Sequence, residues 1–331
     1  MRRLAAGVDI GGTKILAVAV DPDKPSDVVA EHRLPTPPGT EAVLDAIAEV
    51  VSSLEAGGNG AAGLGHVEVG TVGVGIAGLV DRQGVLHFSP NLPTLLDVPL
   101  QPELTRRLGM PVTVDNDATV AAWGEHEAGA AQGATDSMTV ALGTGIGAGQ
   151  VSGGQLVRGA HGFAGEAGHM IVDPSGPPCP CGRRGCWERF ASGSGLGRMA
   201  REAAEAGRLA AALDLADGDV AQLRGEHVAT AAHRGDGEAV KLLSDFGWWV
   251  ALGIANLVTL LDSDVVVIAG GLIEIGDLLM GPVSEHYDTL VMSHDEREDV
   301  RIVAAELGER AGAIGAALLG AIDGEALRTG R

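Results

Sequence analysis

An α/β fold with mixed sheets, built as two lobes, is the expectation from this sequence, and three observations carry it. Strand-length runs of β-branched and apolar residues alternate with segments of helical periodicity along the chain. Two glycine-turned hairpin patterns, at residues 4–20 and 138–151, each open a set of such elements. A chain of 331 residues is long enough for two cores of ordinary size.

Leu4 to Ile10 and Ile15 to Val20 read as the arms of the first hairpin, with Gly11-Gly12-Thr13-Lys14 at its tip. Pro35, Pro37 and Pro38 punctuate a turn. Residues 40–55 then place Val43, Leu44, Ile47, Val50, Val51 and Leu54 at helical spacing, which predicts an amphipathic helix. The glycine-rich stretch 57–65 reads as a loop, and Val67 to Ile76 as a strand leading into Gly78. Val112 to Val114 is a strand ending in Asp115-Asn116-Asp117, and Ala118 to Ala131 holds good helix formers without proline. The second hairpin, Met138 to Val151, turns at Gly143-Thr144-Gly145-Ile146-Gly147. Residues 160–190 are rich in Gly, Pro and Cys and lack periodicity, so they form a loop that needs something to hold it. Residues 192–262 read as helical and end in the apolar run Val250 to Leu261, a buried helix. Asp264 to Ala269 is a buried strand stopping at Gly270-Gly271, Val300 to Ala304 is another, and Gly312 to Ile322 is a small-residue helix packed on a lobe.

Composition narrows the function classes. Hydrophobic residues make up 45%, aromatics 3%, and 51 residues are glycine, which points to an Ala/Val/Leu core with close backbone approaches. The formal charge of −21 argues against nucleic acid or an anionic membrane as the main partner. Neither a run of 18 apolar residues nor a signal-peptide pattern occurs, so a cytoplasmic protein is expected. Cys179, Cys181 and Cys186 fall within eight positions, which suits metal ligation better than a disulfide framework.

The chemistry-bearing residues lie at element junctions. Asp9-Ile-Gly-Gly-Thr-Lys14 sets a carboxylate at a strand end beside a turn whose N–H groups can face phosphate oxygens, although an ordinary hairpin turn reads the same way. It is not a P-loop, because Thr13 separates glycine from lysine and strand formers follow. Gly73-Val-Gly75-Ile-Ala-Gly78 fits a dinucleotide fingerprint, but Leu79 to Gly84 reads as strand and turn where that fingerprint requires a helix. Asp115-Asn116-Asp117 offers an amide for a hydroxyl and a carboxylate to accept its proton, with helix capping by an aspartate as the alternative. His169 with Cys179, Cys181 and Cys186 makes a complete tetrahedral zinc set, which leaves no open coordination position and so reads as structural, with three free cysteines near an unrelated histidine as the alternative. The same loop carries Glu166 and Glu188. The remaining histidines show no ligand spacing, and Trp248-Trp249 reads as core.

Taken in order, Asp9 to Lys14, Asp115 to Ala118, Leu142 to Gly147, Gly165-Glu166 with Gly168-His169, the cysteine cluster and Ala269 to Gly271 resemble the ROK family of repressors, open reading frames and kinases, and within it the bacterial glucokinases. The resemblance runs from residue 9 to about residue 320, and no kinase motif residue is missing. It implies a two-lobed, actin-like ATPase fold of the ribonuclease H-like kind with a cleft between lobes. The partition it implies is residues 1–117 with about 310–328 in the smaller lobe, and 118–309, including the loop 160–190, in the larger.

By matching position, Asp117 is implied as the catalytic base, with Asn116, Glu166, His169 and Glu188 as further sugar ligands and Gly78 and Asn91 in the pocket wall. Gly11, Gly12, Thr13 and Lys14, with Thr144 and Gly145, are implied as phosphate loops, Gly270 and Gly271 as the adenosine contact, and Asp9 as a holder of Mg2+ through water. His169 would serve zinc through one ring nitrogen and a sugar hydroxyl through the other. The implied reaction moves the γ-phosphoryl of ATP to the 6-hydroxyl of a hexose, glucose first, with mannose, fructose and N-acetylhexosamines as alternatives and polyphosphate as an alternative donor. A homodimer or homotetramer is implied as well. Family repressors add a DNA-binding helix-turn-helix before the first strand, for which the position of Asp9 leaves no room. A sugar-sensing regulator and a zinc-stabilised scaffold are the non-kinase alternatives.

Overall fold

The computed structural model describes residues 4–56, 68–297 and 299–329. The loop expected at 57–65, and Val67 at the head of the expected strand, lie outside the described residues. The first hairpin forms: β1 (Leu4–Ile10) and β2 (Lys14–Asp21) pair antiparallel from Ala5 opposite Val20 to Ile10 opposite Ile15. The Gly11 N–H closes the tip on the Lys14 carbonyl at 3.0 Å. β3 (Lys24–Pro35) pairs outside β2 as an edge strand, which the sequence reading does not place. α1 (Thr40–Glu55) buries all six apolar residues expected of it. β4 (Val69–Ile76) runs parallel to β1. Gly78 is followed by β5 (Leu79–Val80), paired with β6 (Leu86–Phe88), so the glycine pattern at 73–78 is not a dinucleotide turn. After α2 (Leu100–Leu108), β7 (Val112–Asn116) runs parallel to β4 and delivers the chain into α3 (Asp117–Ala128). The sheet order is β3-β2-β1-β4-β7.

The second hairpin also forms, as β8 (Ser137–Leu142) and β9 (Ile146–Ser152), with β10 (Gln155–Leu156) beyond it. The expected helical region resolves into α4 (Glu188–Ala191), α5 (Gly193–Glu205), α6 (Ala210–Asp214), α7 (Gly225–His233) and α8 (Gly237–Leu261). Then come β11 (Val265–Ala269), α9 (Asp277–Leu290), β12 (Arg301–Ala304) and α10 (Ala311–Thr329). The second sheet has the order β10-β9-β8-β11-β12. Among the described residues α8 alone has the length and composition to cross a bilayer, yet 61% of its most apolar window is buried, as in a core helix.

The chain folds as two compact units, Met1–Thr139 with Gly149–Gly165 and Ala305–Arg331, and Val140–Ala148 with Glu166–Ala304. The first therefore extends past residue 117 through α3, and it takes in residues 149–165 along with α10. The physical reason is close packing of α3 on α10, where a Cβ on Gly315 would lie 1.7 Å from the Val120 carbonyl oxygen.

In the first unit the two-residue period of β1 and β2 divides the core. Ala6, Val8, Ile10, Ile15, Ala17 and Ala19 face the cluster containing α1, whereas Ala5, Leu16, Val18 and Val20 face α10. On the α10 side β1 and β4 present bare backbone, because a Cβ at Gly7 or Gly73 would stand 1.8 or 1.7 Å from a carbonyl oxygen of the helix. Asp9 follows Gly7 on that face. A Cβ on Gly312, in the first turn of α10, would lie 2.8 Å from its carboxyl carbon. In the second unit β11 is buried along its whole length.

Candidate active site and metal centre

The first unit gathers its candidate residues at the carboxyl ends of the parallel strands β1, β4 and β7, where ligands of open α/β sheets bind. Asp9 is the next-to-last residue of β1, and the Gly11–Lys14 tip follows it. The Thr13 carbonyl accepts the Thr36 N–H at 3.1 Å, and the Thr36 hydroxyl donates to the Gly11 carbonyl at 2.7 Å, so the tip is braced from outside. Gly12 lies against Asn91, whose Cβ would be 3.0 Å from a Cβ there. Gly78 has φ +147°, and a Cβ on it would stand 2.3 Å from the Phe88 carbonyl oxygen, so the position admits only glycine.

The Asp115-Asn116-Asp117 junction divides three tasks. Asp115 is buried and accepts from Arg158 Nε at 2.5 Å, while the same guanidinium reaches Asp323 of α10 at 3.3 Å. That makes Asp115 structural. Asn116 is the N-cap of α3: its Oδ1 accepts the Thr119 N–H at 3.1 Å and its Nδ2 donates to the Gly78 carbonyl at 3.0 Å. Asp117 is the first residue of α3, next to the N-cap, and its carboxylate accepts from the Ala118 N–H and the Asn116 side chain. Burial pushes its carboxyl above the usual range against the pull of the Ala118 N–H. Burial, and then the negative Asp117 beside it, raise Asp9 to about 7, with Lys14 opposing. Lys14 Nζ pairs with Glu309 at 2.7 Å; hydrogen bonds first from Arg33 and then from Lys14 pull Glu309 down to about 2.

The second unit holds the other candidates. His169, Cys179, Cys181 and Cys186 place one donor atom each within 4.8 Å of one another. Cys181 and Cys186 Sγ are 3.5 Å apart, and Cys179 Sγ is 3.8 Å from His169 Nδ1. The sulfur separation is close to the edge of a zinc–thiolate tetrahedron, about 3.8 Å for a Zn–S bond of about 2.3 Å. The residues present therefore fit a closed Cys3His zinc site. A small backbone hairpin holds them: the Cys179 N–H bonds to the Arg183 carbonyl at 2.8 Å and the Gly185 N–H to the Pro177 carbonyl at 2.9 Å, and Ile171 bridges Cys186. Gly185, at φ +70°, passes so close to Asp173 that a Cβ would lie 1.5 Å from its carbonyl oxygen.

His169 presents its two nitrogens to different neighbours. Nδ1 faces Cys179, whereas Nε2 lies 3.7 Å from Glu166. Glu188 Oε1 accepts from Cys179 Sγ at 3.0 Å and lies 3.8 Å from His169 Nδ1. Its Oε2 would be 2.9 Å from a Cβ on Gly145. Glu188 thus touches both the metal cluster and the second glycine turn. That turn is tied to the start of α5, where the Gly193 N–H bonds to the Gly143 carbonyl at 2.8 Å and the Ser194 hydroxyl to the Thr144 carbonyl at 2.7 Å. Gly270 sits against the end of β8, 2.5 Å from the Leu142 carbonyl oxygen measured from a Cβ, and Gly271 opens a short 3-10 turn. Sequence reasoning missed Ser194, whose only signal is the Ser-Gly-Ser-Gly run at 192–195, and it missed Trp187, between Cys186 and Glu188.

Comparison with known proteins adds three findings. A family model described as the ROK family matches residues 5–321. The chain is 39% identical over 317 residues to a glucokinase of Streptomyces coelicolor, covering 95% of this chain and 96% of that one, and 34% identical over 319 residues to an N-acetylmannosamine kinase of Escherichia coli, covering 94% and 96%. Its fold matches, at a TM-score of 0.81 and 38% identity, a ROK family glucokinase from Streptomyces griseus in complex with glucose and AMPPNP, over 96% of this chain and 99% of that one. The α/β, actin-like class expected from the sequence agrees with that likeness.

Proposed function

The chain belongs to the ROK family, and we propose that within it the protein is a glucokinase, transferring the γ-phosphoryl of ATP to the 6-hydroxyl of glucose to give glucose 6-phosphate and ADP. The observation that carries this reading is the state of Asp117. It stands at a strand-to-helix junction where Asn116 is the N-cap, and its carboxylate, which accepts from the Ala118 N–H, keeps further acceptor capacity for a substrate hydroxyl.

In this reading the 6-hydroxyl donates its hydrogen bond to Asp117, which orients the attacking oxygen and takes the proton as the new O–P bond forms. Burial raises the basicity of that carboxylate, which favours the transfer. Asn116, Glu166, His169 and Glu188 hold the other hydroxyls, with Gly78 and Asn91 walling the pocket. His169 uses Nε2 for the sugar because Nδ1 faces the cysteines. N–H groups of Gly11 to Lys14 and of Thr144-Gly145 receive phosphate oxygens, and Gly270-Gly271 lies along the adenosine. Magnesium carried by the nucleotide would neutralise phosphate charge, with Asp9 holding it through water. Zinc would be structural, since all four of its positions are filled by His169, Cys179, Cys181 and Cys186. The reading includes a cytoplasmic homodimer or homotetramer.

A second reading, phosphorylation of an N-acetylated hexosamine or another hexose, draws on the 34% identity to the N-acetylmannosamine kinase. Such sugars differ by one or two substituents that a few hydrogen bonds distinguish. ADP release by the zinc-replete protein with Mg-ATP, across glucose, mannose, fructose, N-acetylglucosamine and N-acetylmannosamine, separates the two. The highest kcat/KM is expected for glucose. A higher value for an N-acetylhexosamine would assign the second reading, and turnover only when polyphosphate replaces ATP would change the donor.

A further inference from the structure

Trp187 is fully buried in the second unit, and its two sequence neighbours carry the chemistry: Cys186 belongs to the metal cluster and Glu188 to the proposed sugar pocket. Its main-chain N–H donates to the Met170 carbonyl at 2.7 Å, which ties it to the residue after His169. Its side chain leaves the loop and lies on α8. The indole Nε1–H donates to the Trp249 carbonyl at 2.7 Å, and a Cβ on Gly253 would overlap the ring at 1.9, 2.3 and 2.4 Å from three of its atoms. In a helix the Trp249 carbonyl accepts the N–H of the residue four positions on, which is Gly253. The indole therefore lies across one bare helical turn, where the missing side chain leaves that carbonyl open to a second donor. Phe190, three residues along, stacks on the Trp249 ring at 4.1 Å and 21°. A glycine in the interior of a 25-residue helix is unfavourable for the helix itself, so Gly253 answers to this contact.

We propose that Trp187, seated in the slot at Gly253 and Trp249, is a positioning residue that fixes Cys186 and Glu188 in one frame, so that zinc retention and glucose affinity share a mechanical reference on α8. The proposal rests on the glucokinase reading for its sugar arm. Its metal arm stands apart from turnover. Trp187 cannot swing aside, because it is enclosed, so a methyl at 253 must displace the segment 186–188 or the helix.

The test uses full-length, zinc-loaded protein and the variants Gly253→Ala, Trp187→Phe, and the two combined. Two quantities are read: the rate at which zinc passes to an excess of a colorimetric chelator, and the KM and kcat for glucose. Outer-shell changes at metal sites cost roughly 10- to 100-fold, and Gly253→Ala is expected to speed zinc release and raise the glucose KM by about tenfold each while kcat stays within about threefold. Trp187→Phe, which keeps most of the buried ring but loses the indole N–H, is expected to move both in the same direction by roughly threefold. In the combined variant the smaller ring makes room for the methyl, so both quantities should return at least halfway from Gly253→Ala. Zinc release and glucose KM within twofold of the parent in Gly253→Ala would overturn the proposal. If Gly253→Ala does not fold, the same null result in Trp187→Phe overturns it. A parent without glucose turnover would refute the glucokinase reading, and the zinc-release arm would still decide the role of Trp187.

Discussion

Two carboxylates and one glycine decide how the proposed pocket responds to perturbation. Asp9 ionises near an ordinary carboxyl value of about 4 in an unfolded chain, but burial and the neighbouring Asp117 raise it to about 7 when folded. Between those values the folded chain keeps a proton that the unfolded chain has lost, so this group's contribution to stability is greatest in acid. It falls as pH rises toward 7 and then levels off. Asp9→Asn carries no charge at any pH and should flatten that slope, gaining more in Tm over the parent at pH 8 than at pH 4.5. Parallel Tm profiles for the two proteins would show that Asp9 ionises as a free carboxyl does. Gly145 tests the link between the glycine turn and Glu188. A methyl there meets Glu188 Oε2 at 2.9 Å, and the carboxylate, being the movable end of a side chain, should turn away. One displaced hydrogen bond of about 1.4 kcal/mol corresponds to about a tenfold rise in the glucose KM of Gly145→Ala. An unchanged glucose KM would separate Glu188 from the turn. The residue types at these positions were legible in the sequence, but the division of labour at 115–117 was not. Only the fold reveals that Arg158 takes Asp115 and that Gly78 takes Asn116, because both partners are distant in sequence.

Elements that declare themselves by local pattern were legible, and those defined by a partner were not. α1 and β1–β2 follow from apolar spacing and a glycine tip, and the gathering of His169 with the three cysteines follows from the cysteine spacing. β3 escaped notice because as an edge strand it is solvated along much of its length and shows no clean alternation. α3 ends at Ala128, three residues before the expected end. Glu125 takes the Ala130 N–H at 2.9 Å and a Cβ on Gly129 would lie 2.2 Å from the same carboxylate, a capture that no propensity scale contains. For the proposed zinc site, removing one thiol breaks the tetrahedral set. Cys181→Ser is therefore predicted to leave less than one zinc per chain by atomic emission and to raise the glucose KM, since His169 and Glu188 lose their common support. Full metal content in that variant would place the metal on other ligands.

The first unit is organised by the carboxyl-terminal segment of the chain, which local patterns could not reveal. α10 lies on the bare backbone of Gly7 and Gly73, against α3, and next to Asp9, so a segment some 300 residues downstream forms part of the floor under the amino-terminal turn. Glu125 secures the approach to it. Fully buried, its carboxylate accepts the N–H groups of Ala130, Glu306 and Leu307 at 2.9, 3.1 and 2.9 Å. Glu125→Ala would leave three backbone donors without that acceptor, and a loss of about 3 kcal/mol in urea unfolding is expected. A loss under about 0.5 kcal/mol would mean that solvent reaches those donors.

The decisive comparison is glucose turnover by Asp117→Asn beside the parent, both zinc-replete, with glucose binding measured by calorimetry in each. Removing a general base typically costs 100- to 10,000-fold, so kcat should fall by about a thousandfold while the glucose Kd stays within about fivefold. A variant that binds glucose and still turns it over at more than about a tenth of the parental rate would contradict the assignment of phosphoryl transfer to this site.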